Sequence, residues 1–250
     1  MRAIIFLTLL FGATDLAWAQ SDFKLSTATM PNLEDALTEL PAPIGEAVVR
    51  ESLDSYQKKT PKADEVLKQI INALKTRQFA EALPKLEYLQ GLRPTEPDLL
   101  ILRGCIYAES GHPEVAEAIF KKAILIAPSH PWARLNLAEA LVTQNKYSEA
   151  EATLWILSAT RPESEVVRFK LIITLALQKK ISSAEQELHF LKNNATTPAY
   201  YFAKAALAFA NGDAKQGQDL VDQAKKIYGE SQTSYFYASL ATQNWLPKLP

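Results

Sequence analysis

Small and apolar residues recur along this chain with a period of 34. Ala82, Ala116, Ala150 and Ala184 form one column, Leu86, Phe120, Leu154 and Leu188 a second, and Leu89, Ala123, Leu157 and Leu191 a third. Pro94, Pro128 and Pro162 keep the same interval. Several columns in one register predict an array of like units. No such unit buries its apolar face alone, so neighbours must stack into a continuous core whose ends are covered. Ahead of the array, residues 33–40 and 44–56 read as two helical pieces separated by Pro41-Ala42-Pro43. Behind it, residues 233–243 read as a capping helix whose Tyr235, Tyr237 and Leu240 pack on the last unit.

The columns resemble the tetratricopeptide repeat family, whose unit is a pair of antiparallel helices. The second unit carries the resemblance best, with Leu100, Gly104, Tyr107, Gly111, Ala116, Phe120, Ala123 and Pro128 in the family's columns. The resemblance implies an all-α fold, a right-handed superhelix of about five helix pairs over residues 63–228, with units at 63–96, 97–130, 131–164, 165–197 and 198–228. Residues 20–62 are then an N-terminal helical extension, and residues 229–250 a capping helix and tail. Gly111, Asn145 and Gly212 fall between paired helices, where a left-handed residue ends the first helix at low cost. Arg77 and Lys179 hold that place in the first and fourth units and predict tighter or less regular turns.

In this family the first helix of each unit lines a concave face. Carried over, the lining is Ile101 and Cys105 from unit two; Trp132, Leu135 and Glu139 from unit three; Phe169 and Ile173 from unit four; and Phe202 and Phe209 from unit five. An apolar stripe of this size marks an interaction site for a protein or peptide ligand. Trp132 is the better anchor by residue type, with packing against unit two at the start of its helix as the alternative reading. Members that clamp a peptide carboxylate need Lys, Asn and Arg converging on the groove; here Lys68, Asn136 and Lys170 lie one position off the lining, so no such clamp is expected. Two other readings stand beside the groove. Some of Ile101, Leu135 and Ile173 are core between units, and the N-terminal segment, through Leu33, Leu37, Val48, Val49 and Leu53, folds back into the groove as a helix.

The 27 Lys and Arg against 28 Asp and Glu give a net charge near −1 with no block of one sign. Neither nucleic acid nor an anionic membrane is drawn in electrostatically. Residues 1–19 read as a signal peptide, from Arg2 through an apolar run at 3–11 to Ala17-Trp18-Ala19, which implies a soluble periplasmic or secreted protein without membrane insertion. Cys105 is the single cysteine, so no intrachain disulfide forms, and it reads as a small buried apolar residue. His112, His130 and His189 are not spaced for a metal and read as surface or turn residues. No phosphate loop, nucleophile elbow or paired metal-binding motif occurs, so neither catalytic residues nor a cofactor are expected. The function expected is an extracytoplasmic adaptor or assembly factor that binds an apolar peptide or helix. The alternative is a self-associating subunit, such as a homodimer, of an envelope or secretion complex.

Overall fold

The computed structural model describes residues 63–92, 96–194 and 198–247. The expected signal peptide and N-terminal extension, including a segment that fills the groove, lie outside these residues. Among the described residues every element is helical. The described residues fall into two compact units, one of residues 63–92 and one holding residues 96–247. In the first, α1 (Ala63–Lys75) packs on α2 (Phe79–Leu92), burying Ile70, Ala73 and Leu74 against Ala82, Leu86 and Leu89.

The second compact unit is four successive helix pairs. They are α3 (Pro97–Glu109) with α4 (Pro113–Ile126), α5 (Pro131–Thr143) with α6 (Tyr147–Thr160), α7 (Glu165–Leu177) with α8 (Ile181–Asn194), and α9 (Ala199–Ala210) with α10 (Ala214–Thr242). Each helix packs on the next, and the first helices α3 and α5, and α7 and α9, also touch one another. Pro97, Pro113 and Pro131 begin their helices, where a missing N–H costs nothing and φ is already helical. Ser164 and Asp213 instead cap α7 and α10 by accepting the Val167 and Gln216 N–H groups.

First and second helices bury themselves differently. Along α3, α5 and α7 nearly every residue is buried, as expected of a helix apolar on all sides. In contrast, α4 and α6 bury one stripe each, Ala116, Glu117, Phe120 and Ala123 in one and Ala150, Leu154, Leu157 and Ser158 in the other. The small-residue column works by contact. A Cβ on Gly104 would lie 2.4 Å from the Phe120 ring, and one on Gly217 would lie 2.6 Å from Phe209.

The turns correct one expectation. Arg77 and Lys179 do not tighten or disturb their turns; at φ 58° and 60° they adopt the left-handed conformation of Asn145, Gly111 and Gly212. In all five turns the next N–H reaches the carbonyl five residues back, as in Gln78 to Ala73 at 2.7 Å, His112 to Tyr107 at 2.9 Å and Lys180 to Leu175 at 3.0 Å. The closing bonds and the packing of the helix pair impose the turn on a residue that would avoid it by about 1 kcal/mol.

Helix α10 is two helices in one run. At Gly229 the backbone takes φ 80° and ψ 167°, a conformation open almost only to glycine. Residues 214–228 complete the last pair, and residues 230–242 form a separate arm.

Candidate binding groove

Most of the expected lining is not open to solvent. Ile101, Cys105, Trp132, Leu135, Phe169, Ile173 and Phe202 are all buried, as is the side chain of Glu139, and Phe209 is half-buried. Over units three to five the covering element is the C-terminal arm. Phe236 lies with its ring centroid 5.0 Å from that of Phe169 on α7, edge to face, and 5.7 Å from that of Phe202 on α9. The sequence predicts a cap on unit five alone, made by Tyr235, Tyr237 and Leu240. Tyr235 and Leu240 are indeed buried, Tyr237 is half-buried against the Lys225 ammonium, and the arm's largest fully buried side chain is Phe236.

The polar centre of this contact is Lys170, which is fully buried. Its ammonium donates to Glu139 Oε1 on α5 at 2.6 Å and to Ser239 Oγ on the arm at 2.7 Å. Burial pulls the Lys170 pKa below its ordinary value, and Glu139 opposes that shift. Ser239 in turn donates to the Tyr235 carbonyl at 2.9 Å, so one hydroxyl both accepts from the lysine and closes a turn of the arm. The Tyr235 phenol is held well above its usual range, by burial first and then by the Glu139 charge. Thus α5, α7 and the arm meet around one cation.

Beyond the arm the chain turns at Asn244, and Trp245 stacks on Phe209 with ring centroids 6.3 Å apart. Where the arm ends, an open pocket lies between Val142, Tyr147, Leu177 and residues 242–244. Between units two and three, Asn136 Nδ2 donates to Cys105 Sγ at 3.4 Å, and burial raises the thiol's pKa well above its usual value. That thiol is no nucleophile. His130 is a turn residue, the N-cap of α5, and is half-buried with Nε2 2.9 Å from Asp98 Oδ1.

Three features escaped the sequence reading. Lys170, one position off the groove in the repeat register, is its central cation. The other two are periodic and could have been found as columns. Gln144 and Lys146 reach back to Glu117 at 2.9 and 2.8 Å, while Gln178 and Lys180 reach back to Glu151 at 2.8 and 2.5 Å. This clamp joins unit two to unit three and unit three to unit four, at the same 34-residue interval as the apolar columns. Lys121 and then Lys146 lower the Glu117 pKa to about 2. Likewise Arg134 Nε donates to the Pro128 carbonyl at 3.1 Å and Arg168 Nε to that of Pro162 at 3.2 Å. Among the described residues, no cluster of three or more His, Cys, Asp and Glu side chains is placed to hold a metal ion, and no helix is long and apolar enough to cross a membrane.

Helix pairs stacked at a fixed interval, with first helices inward, define a repeat solenoid. Residues 107–156 match the tetratricopeptide repeat family, and the fold is that of a tetratricopeptide-repeat protein. No curated protein sequence matches the chain. Among solved structures, it is similar to the thermophilic tetratricopeptide-repeat protein TTC0263 of Thermus thermophilus, at 16% identity and a TM-score of 0.58 over 72% of this chain and 100% of that one. A MamA fragment from Desulfovibrio magneticus RS-1 is 16% identical, with a TM-score of 0.55 over 67% of this chain and 96% of that one. YrrB, described as a tetratricopeptide-repeat protein with an unusual peptide-binding site, is 13% identical, with a TM-score of 0.51 over 76% of this chain and 97% of that one.

Proposed function

We propose that this protein is an interaction adaptor that holds a helix of a partner protein against the first helices of units three to five. The observation that carries this is the arm itself. A helix already lies on that face, with Phe236 between Phe169 and Phe202 and Ser239 on the buried Lys170. Laying an apolar helix face into such a trough is a recurring mode of peptide recognition. That YrrB is described as having a peptide-binding site accords with this use of the fold. The location we propose is extracytoplasmic, resting on Arg2, the apolar run at residues 3–11 and Ala17-Trp18-Ala19.

The test places a photo-crosslinking amino acid at Leu177, which is half-buried beside the arm's end, and irradiates cells producing the full chain. A discrete crosslink to one other protein, lost when the label is moved to the exposed Glu185 on α8, is the expected result. Crosslinks only between copies of this chain would replace the adaptor with a self-associating subunit. N-terminal sequencing of the mature protein reads the location; a first residue at Met1 would refute export by this route.

A further inference from the structure

Resting on the adaptor reading, we infer the partner's chemistry: an α-helix with an aromatic side chain and, three positions later, a hydroxyl-bearing residue. Residues 230–242 hold its place until it binds.

The arm meets this description because of what it touches. Phe236 fills the space between two buried rings on neighbouring first helices. Aromatic anchors in desolvated pockets carry most of the affinity of such contacts. Ser239, one helical turn on, supplies an acceptor to an ammonium that is otherwise served by Glu139. An occupant without that acceptor leaves a buried cation short of a hydrogen bond, which sets it apart from other apolar helices. The requirement is geometric, since aromatic and hydroxyl must share one helix face at i and i+3.

The arm is also built to leave. Gly229 is a one-residue joint: a Cβ there would meet no atom, so its glycine serves the left-handed turn and not close packing. Rotation at that single position releases residues 230–242 without unwinding residues 214–228. Being tethered, the arm acts at an effective concentration on the order of millimolar, so a free helix of the same sequence competes poorly until an anchor is removed.

The experiment uses the full chain and, as probe, a fluorescent peptide with the sequence of residues 230–246. Fluorescence anisotropy is run on wild type and on Phe236→Ala, with hydrogen exchange over residues 231–242 to show whether the arm has opened. The variant is expected to bind the peptide at least about ten-fold more tightly than wild type does. Replacing Phe236 or Ser239 by Ala in the peptide should each abolish most of that gain. Where Phe236→Ala loses helicity, Ser239→Ala in the chain is read the same way, with a gain of a few-fold. Rapid exchange of the arm without peptide binding overturns the inference. Slow exchange in both variants overturns it too, because the arm is then a fixed cap. A wild-type dimer that dissociates on adding peptide would assign the site to a second copy of this chain instead. Failure here with the Leu177 crosslink to another protein intact leaves the adaptor reading standing, whereas loss of both removes both.

Discussion

The Glu117 and Glu151 clamps and the Lys170 centre are both ionic contacts between helix pairs, yet they are built on opposite terms. The clamps recur at the repeat interval, sit at the solvent edge, and bind units two, three and four each to its immediate neighbour. The Lys170 centre occurs once, is buried, and joins two first helices to an arm that follows the last pair. Contacts copied with the repeat hold the solenoid together; the contact that breaks the pattern is where selectivity resides. Exposed ion pairs contribute little each, whereas half of a buried pair left alone is costly.

The comparison predicts its own ordering of effects. Lys170→Met strands the Glu139 carboxylate in the interior and should lower unfolding free energy by about 3–5 kcal/mol. Adding Glu139→Gln should recover most of that loss in urea denaturation, and a double variant no better than the single would show that the pair is not coupled. Gly104→Ala comes next. Its methyl would meet Phe120 at 2.4 Å, for a loss of about 1–3 kcal/mol that Phe120→Leu should partly relieve.

The clamp should respond least, and with a pH signature. Since the Glu117 carboxyl is held at about 2 against 4.5 when unfolded, its contribution is complete above pH 4.5 and fades as pH falls toward 2. Its lysine partners reach it from solvent, which screens the attraction. Glu117→Gln should therefore cost about 1–2 kcal/mol at pH 7, and the variant and wild type should converge near pH 2 in thermal melts. A gap independent of pH would mean that packing, not charge, does the joining.

What the sequence disclosed follows the same division. Everything carried by the period was legible: the helix pairs, the small-residue column at Gly104 and the left-handed turn at Gly111. The Gln144 and Lys146 columns are equally periodic, but a polar column reads alike whether its side chains reach a neighbouring helix pair or water. The arm's course was not legible, because Gly229 belongs to no column and reads equally well as a loop glycine. Lys170 was misplaced because its long stem carries the ammonium from a position beside the lining into the middle of it. The burial of Trp132 and Phe169 followed from neither pattern nor composition, since an apolar stripe reads alike whether water or a helix lies against it.

The clamp series ends where the arm takes over. Glu185 continues the glutamate column, but the places of its partners hold Gly212 and Ala214, whose side chains have no reach. A solenoid joined only to nearest neighbours loses its pairs one at a time from the ends, as a one-dimensional array does. By tying α5, α7 and α9 through one element, the arm also links unit three to unit five, so these three units should melt together. A single sharp unfolding transition while it is seated, broadening when it is released, is the cooperative consequence of a bend at one glycine.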